Sequence, residues 1–505
     1  MGLAALLSLW LYGRSFDWVE AGLHVLARND QSYALYNVLS AGIAMLIMAP
    51  AAFFAGMTLP LFTLALLRAG SGETGVGRIY AANTLGAIVG VLLGVHLLLP
   101  GLGLKLAMIA AAAADLLLGV VLLRRARTEA TPWRHLVALG LAGLALAVTL
   151  RGAAFDPARM AAGVYRTGRA GLGPDERVPY YRDGKTASVA IVDHPSGQRR
   201  IATNGKPDAS IQMIEGRPPS PDEATMVMIA ALSLGLHPAP RHVANIGFGS
   251  GMSTSTLLAD PRVERVDTIE FERAMIEGAR AFGSPVARAY TDPRSHLHID
   301  DAKTYFSTHD ARYDVILSEP SNPWVSGIAN LFTTEFYRFI PRHLEKGGLF
   351  VQWLQLYGLD DELVGSVLNA LGRSFRDYCI YLSNDLDMLI VAPPPDDAIR
   401  PVAPSLFEPE LLRDSLAGIG VRSLDDLHLH ELGSRRTLEP LFAVASARIN
   451  SDFHPILSLE APRMRFSNRT AIGIEHLSEA DVPILELTSD YPCPRVLRRS
   501  PSRMS

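Results

Sequence analysis

The sequence predicts an α-helical membrane region followed by an open α/β sheet. Three observations lead there. Apolar residues crowd the chain before residue 152 with few charges among them. From Glu223 onward, short apolar runs alternate with helical stretches, the rhythm of a sheet with crossover helices. At the first of those runs, residues 243–251 read VANIGFGSG, a strand passing into a glycine-rich turn.

A membrane span needs about 20 apolar residues. Tyr80 to Leu99 and Leu106 to Leu123 have that character, the second interrupted by Asp115. Leu136 to Leu150 is borderline. Tyr33 to Leu67 is too long for one straight span, and Pro50 and Pro60 are placed to kink it. Met1 to Tyr12 is apolar but short and lacks the features of a signal peptide. It reads as the remnant of a helix whose upstream partners are missing. A mean hydropathy of +0.17 agrees with a membrane region. Arg68 and Arg78 flank one loop, and Arg124, Arg125, Arg127 and Arg134 another. The positive-inside rule puts both loops in the cytoplasm. A crossing by residues 136–150 would then leave the soluble part outside, where an adenosyl-type donor is not expected. The reading adopted is a multi-pass protein of a bacterial inner membrane with a cytoplasmic soluble part, which requires either that residues 136–150 lie in the interface or that the number of spans differs from this count. Asp115 within a span is either functional or a helix–helix hydrogen bond, with Asn83 as candidate partner. Small residues at 110–114 suit close helix packing.

The chain has 505 residues, room for two or three domains. A net charge of −4 gives no sign of nucleic acid as a partner. Cys379 and Cys493 are too few and too separated for a disulfide framework or zinc site. Asp425, Asp426, His428, His430 and Glu431 fit a solvated helix or loop better than a metal site. His296 and His298 share a strand face without a third ligand. No metal is expected. The boundaries drawn are 1–152 for the membrane region, 153–215 for a linker and the small β-domain, and 216–395 for the α/β domain. A helical extension at 396–470 and a largely disordered tail at 471–505 follow. The linker is the Gly- and Arg-rich stretch from Arg151 to Val178. A hairpin follows, from Ala187–Val192 to Arg200–Thr203 with its turn at His194–Gly197. Sheet strands fall at His242–Ile246, Arg265–Glu270, Leu297–Ile299, Tyr313–Ser318, Gly348–Trp353 and Asp387–Val391, and Pro393 to Pro395 end the sheet. From Ser489 the tail holds Pro492, Pro494 and four arginines.

Gly247, Gly249 and Gly251 let the backbone turn tightly and approach a ligand where a Cβ would clash. Ser253 or Thr254 can cap the helix that follows, whose N–H groups point at the same space. Glu270, ending the next strand, can accept hydrogen bonds from a ribose diol. Met252 stands where the dinucleotide fingerprint has its third glycine, which favours an S-adenosyl type of ligand over NAD. A plain strand–helix turn without ligand uses the same residues. Asp301 and Ala302 follow the third strand. Asp301 either accepts from an adenine amino group or simply caps a helix. The glycine turn, Glu270 and Asp301 all fall at carboxyl ends of neighbouring strands, where open sheets bind ligands. The next strand runs into Ser318-Glu319-Pro320-Ser321-Asn322-Pro323-Trp324. Glu319 on this stiff loop suits a held base that strips a proton from an attacking amine or hydroxyl. Asn322 can orient the nucleophile and Trp324 can wall the site. A stiff loop with a surface glutamate is the alternative.

Segments TNGKPDAS (203–210), HPAPRHVANIGFGSG (237–251), DTIEFERAM (267–275), DDAKTYF (300–306) and YDVILSEPSNPWVSGIANLFTTEFY (313–337) resemble the spermidine synthase family of aminopropyltransferases. With FFAGMTLPLF (53–62), GRIYAANTLGAIVG (77–90) and RINSDFHPILSLEAPR (448–463), the chain resembles the membrane-fused branch of that family. The resemblance covers about residues 50–465; the 313–337 segment is specific, whereas the glycine motif is shared with many methyltransferases. It implies a small β-domain on a methyltransferase-like, Rossmann-like sheet. It also implies no permanently bound cofactor, decarboxylated S-adenosylmethionine as co-substrate and a diamine acceptor such as putrescine. Glu270 would hold the ribose, Asp301 the adenine, and Glu319 would occupy the place of the catalytic aspartate. The departures are specific. Ser250 replaces an aspartate near the donor's ammonium. Asn322 replaces an aspartate that helps hold the acceptor. Asp208 stands where a glutamine is usual, and Thr225-Met226 where a Tyr-Gln pair is. Fewer carboxylates make a dicationic acceptor harder to hold, and loss of charge at 250 suits a donor that keeps its carboxylate. The function expected is therefore a membrane-anchored transferase moving an aminopropyl or related group to an amine. The alternatives are a polyamine-related transporter or sensor without chemistry, and an S-adenosylmethionine-dependent methyltransferase. An assembly of identical copies is left open.

Overall fold

The computed structural model describes residues 1–125, 132–153 and 155–477. Arg127, Cys493 and the tail from Ser489 lie outside the described residues. Two compact units divide the chain. One comprises 1–27, 34–190 and 203–206; the other comprises 28–33, 191–202 and 207 onward.

The first unit is mainly helical. Helices run over Gly2–Val25, Asp30–Arg68, Gly72–Leu93, Leu99–Arg125 and Pro132–Gly152. A π-helical turn at Gly94–Leu98 joins the third to the fourth. The predicted spans 80–99 and 106–123 are therefore parts of one helical run. It is broken at Gly103, whose φ of 74° only glycine adopts freely. Pro50 and Pro60 both lie inside Asp30–Arg68. Met1–Tyr12 extends into a helix twice that length. Leu6, Leu9, Ile109 and Ala112 form a small core, while Leu35, Val38, Met45, Phe53, Leu85, Val91 and Leu117 stay exposed. Two helical stretches, Asp30–Arg68 and Gly72–Arg125, are long and apolar enough to cross a membrane. The stretch predicted as a linker holds short helices at Pro157–Ala161 and Val164–Thr167. Gly163 packs there so closely on Gly205 that a Cβ would stand 2.2 Å from its carbonyl oxygen.

Four strands, β1 (Arg177–Asp183), β2 (Ser188–Asp193), β3 (Gln198–Thr203) and β4 (Lys206–Gln212), form a sheet in sequential order. The predicted hairpin is its centre; β1 and β4 went unread because their polar residues mask the alternation.

The second unit is built on an eight-stranded sheet. Its strands are β5 (His242–Ile246), β6 (Arg265–Glu270), β7 (Ser295–Ile299), β8 (Tyr313–Ser318), β9 (Leu344–Gln355), β10 (Cys379–Asn384), β11 (Asp387–Ala392) and β12 (Glu431–Ser434). The order is β12-β10-β11-β9-β8-β5-β6-β7. Neighbours from β7 through β9 are parallel, whereas β9–β11, β10–β11 and β10–β12 are antiparallel. Central strands read as continuous apolar runs because helices cover both faces. Helix Pro221–Leu236 begins with a capping box, Ser220 and Glu223 each receiving the other's backbone N–H, and every residue from Thr225 to Leu236 is buried. The sheet does not end at Pro393–Pro395: β12 returns from the 396–470 segment, which is otherwise helical as predicted. β10 and β12 were missed, the second because four residues carry too little periodicity.

Candidate active site

The order reverses direction at β5, so the carboxyl ends of β5, β6 and β8 open onto one crevice. The glycine turn sits at its centre. Gly247 N donates to Ile269 O and Glu319 N to Ile246 O, each at 2.9 Å. A Cβ on Gly247, whose φ is 95°, would lie 2.4 Å from the Glu319 carbonyl oxygen. Glycine there lets the Glu319 loop close on the turn. Helix Met252–Leu257 follows Gly251 without a side-chain cap, so neither Ser253 nor Thr254 caps it as expected. Thr254 Oγ1 instead bonds Asn245 and Thr268 inside the fold. Ser253 Oγ donates to Glu319 Oε2 at 2.5 Å. Ser250 is fully buried. Its Oγ lies 3.1 Å from Met226 Sδ and accepts from Met252 N, so its hydroxyl is committed within the protein.

Glu270 is buried with Oε2 accepting from Phe248 N at 3.1 Å and Oε1 from Glu272 N at 2.9 Å. Burial, with Asp208 and Glu272 nearby, pushes its carboxyl up to about 7. A carboxylate offers about four acceptor positions, so two amides fix the group and leave capacity for a diol. Asp301 caps helix Ala302–Thr308, Oδ1 accepting from Thr304 N at 3.0 Å. The capping alternative thus holds, and Asp300 N joins Glu270 O to keep that corner beside the rim.

Glu319 follows β8 directly. The residue is half-buried, and its carboxyl is pushed up to about 7, chiefly by burial, with Ser253 opposing and Asp387 and Asp222 adding repulsion. Asn322 is buried and its Nδ2 donates to Tyr357 Oη at 3.1 Å. Trp324 packs edge-on to Tyr357, ring centroids 5.9 Å apart, with the Arg465 guanidinium over its face. A Cβ on Gly358 would sit 2.6 Å from the Trp324 ring, so the placement of the indole depends on that glycine. Asp208 Oδ1 accepts from Ser321 Oγ at 2.7 Å, which ties β4 to the Glu319 loop.

Three neighbours of these residues escaped the sequence reading: Ser253 in this role, Tyr357 and Asp387. Asp387 is buried with three donors, Trp353 Nε1 (2.9 Å), Thr225 Oγ1 (2.9 Å) and Asn384 Nδ2 (2.8 Å). Burial pushes this carboxyl up and the three donors oppose it. An acid opening an otherwise apolar strand was the available signal, since acids are rarely buried without a reason. Of the histidines set aside, His298 Nε2 lies 2.6 Å from Asp267 Oδ1. Among the described residues no group of three or more His, Cys, Asp or Glu is gathered to hold a metal.

A parallel core with a glycine turn at the switch point, an acid ending the next strand and an antiparallel edge give a methyltransferase-like α/β fold with a mixed sheet. Residues 223–384 match the family profile described as spermine/spermidine synthase domain. The chain's relatives include the polyamine aminopropyltransferase of Bacillus subtilis, 29% identical over 157 residues, covering 31% of this chain and 56% of that protein. The polyamine aminopropyltransferase of Caldicellulosiruptor bescii is 30% identical over 155 residues, 31% of this chain and 55% of its own. The chain thus spans about half the length of the curated relatives it matches. Among solved structures, the spermidine synthase of Thermotoga maritima is similar at 22% identity and a TM-score of 0.37, covering 43% of this chain and 72% of that one.

Proposed function

We propose that this chain is a membrane-anchored aminopropyltransferase of the spermidine synthase type. The donor is decarboxylated S-adenosylmethionine and the acceptor an amine. The observation that supports this best is the Glu319 carboxyl, held by Ser253 from the helix that follows the glycine turn and raised to about 7. Glu270 holds the ribose, the Gly247–Gly251 turn makes room for the donor, and Asp301 with Ala302 borders the adenine. Asn322, oriented by Tyr357, positions the acceptor, Trp324 walls the crevice, and Asp208 steadies the loop through Ser321. The acceptor nitrogen's lone pair attacks the carbon next to sulfur. The C–S bond breaks to leave a neutral thioether, and the nitrogen's proton passes to Glu319. The sulfonium is already a good leaving group, so the protein's share is alignment and deprotonation.

The apolar, exposed helices 30–68 and 72–125 support the membrane part of the proposal, since helices apolar on all sides need a lipid or protein covering. The soluble part is assigned to the cytoplasm, where the donor is made. Calorimetric titration of the purified chain with decarboxylated and intact S-adenosylmethionine, then turnover with amines, tests the reading. Tighter binding of the decarboxylated donor and transfer to an amine are expected. Preference for the intact donor redirects the site to methyl transfer. Donor binding with no product from any acceptor favours a sensor or transporter. Retention in membranes after alkaline carbonate extraction tests the anchor.

A further inference from the structure

The 463–471 segment runs beside Trp324 and Tyr357. Helix Ile456–Phe466 ends there in a left-handed cap. Asn468 has a φ of 50°, its N–H bonds Arg465 O at 3.2 Å, and Arg469 N bonds Met464 O at 3.0 Å. That reversal lays Arg469 to Ala471 against the stretch after β9. Gly358 N donates to Arg469 O at 2.7 Å and Ala471 N to Leu356 O at 3.1 Å, and Thr470 pairs with Tyr357. The Arg465 guanidinium covers the Trp324 face, 5.5 Å from its centroid. The segment thus holds Tyr357 by backbone and Trp324 by a side chain, and Asn322 donates to Tyr357. Its other side is held as well. Arg463 Nε (3.2 Å) and Ser467 Oγ (3.0 Å) donate to Asp30 Oδ1, and Arg469 Nη2 donates to Oδ2 at 3.4 Å. Arg463 and Ser467 stand four residues apart and share a helix face that Arg465 does not. Residues 28–33 belong to the same compact unit as this segment. Close to Asp30 in sequence, Arg28 lies over the buried Phe466 ring at 5.4 Å and Tyr33 packs on that ring at 5.6 Å. A lone exposed ion pair contributes little. Here one carboxylate takes three donors, and its neighbours grip a buried ring.

We propose that Asp30 is a positioning residue for the acceptor side of the crevice, acting through the 463–471 segment on Trp324, Tyr357 and Asn322. The consequence for turnover rests on the aminopropyl-transfer reading; the consequence for Trp324 does not. With the carboxylate in place, the reversal at Asn468 is fixed and the backbone bonds to Gly358 and Leu356 keep their register. Without it, Arg463 and Arg469 are like charges that have lost their common anion, and the reversal is free to shift along the 356–358 stretch. Trp324 and Tyr357 then lose a fixed backing. Glu270 keeps its own bonds, which come from the amides of Phe248 and Glu272. Asp30 also opens helix Asp30–Arg68, so the same contact ties the root of an apolar helix to the acceptor side.

The test uses the full chain with Asp30→Ala and the conservative Asp30→Glu. The chain has five tryptophans, so the Trp324 signal is taken as the fluorescence lost in Trp324→Phe, measured in each Asp30 background. In Asp30→Ala, acrylamide quenching of that signal is expected to rise about twofold or more, and KM for the amine acceptor about 3- to 10-fold. Asp30→Glu is expected to recover most of both, because it restores the charge. Arg463→Ala, which removes one of the three donors, is expected to move both readouts the same way and by less. Donor affinity by calorimetry, kcat and melting temperature are expected to change little, since exposed ion pairs add little to stability. Unchanged Trp324 quenching in Asp30→Ala overturns the inference and leaves the transferase reading intact. So does a rise in acceptor KM matched by an equal loss of donor affinity, which marks a general loss of structure. Increased quenching in a chain whose unmutated form transfers to no amine overturns the transferase reading and leaves Asp30 as the group that places Trp324.

Discussion

The two sides of the crevice are built differently. The side proposed to take the donor comes from residues close in sequence: Gly247 to Gly251 and Glu270 lie within one strand–turn–helix–strand unit, and backbone amides beside them hold Glu270. The side proposed to take the acceptor is gathered over distance, from Glu319 and Asn322 on the loop after β8, Tyr357 beyond β9 and Asp387 on β11, whose charge acts on Glu319. One side is local and stiff, the other assembled over distance. On the proposed reading, the donor side is expected to tolerate change in the rest of the fold, and the acceptor side is where specificity is expected to drift without disturbing donor binding.

The sharpest way to break this comparison is Glu319→Ala. Removing a general base is expected to lower kcat about 10²- to 10⁴-fold, with donor affinity by calorimetry nearly intact. Loss of donor binding to the same degree would mean that the two sides are not separable. Glu270→Gln is expected to do the reverse, weakening the donor about 10- to 100-fold while KM for the acceptor holds; direct titration of the donor measures it. Gly247→Ala joins the two sides, because its Cβ would meet the Glu319 carbonyl at 2.4 Å. A loss of about 1–3 kcal/mol in stability is expected, read by denaturant unfolding, together with damage to both donor binding and turnover. Unchanged unfolding would show that the loop yields and that the close approach is dispensable.

A smaller effect tests the electrostatics. Glu319 must be ionised to act as base, so kcat/KM is expected to rise with pH and level off above about 7. Ser253→Ala removes the hydrogen bond that favours the ionised form, so the inflection moves to higher pH; a shift to lower pH contradicts the assigned contact. Stability has the opposite sign. Glu270 and Glu319 are raised above their ordinary values, so the folded state binds protons more readily than the unfolded one. Their contribution is most favourable below about 4.5 and is lost as pH rises through about 7. Thermal melts of the unmutated chain and of Glu270→Gln across that window should differ in slope.

The parallel strands β5, β6 and β8 were legible because each is a short apolar run followed by turn chemistry, and their ends announced Glu270 and Glu319. Asp301 was legible only as two alternatives, and the structure supplies the cap. The helices before residue 152 were legible as apolar but not as to where they end, because hydropathy does not register a single break such as Gly103. β10 and β12 were not legible, since antiparallel edge strands in a mixed segment share no simple period with their neighbours.

The sequence by itself determined the order of helix and strand, the glycine turn and the acids at the strand ends, because strand periodicity, backbone sterics and desolvation act over a few residues. Only the tertiary structure decided that Ser253 serves Glu319 rather than its own helix. It alone brought Asn322 to Tyr357 and set Gln355 opposite Asp387 across β9 and β11. Those pairings depend on strand register and on which helix covers which face. Register is a property of the whole sheet, fixed when many side chains find a common packing.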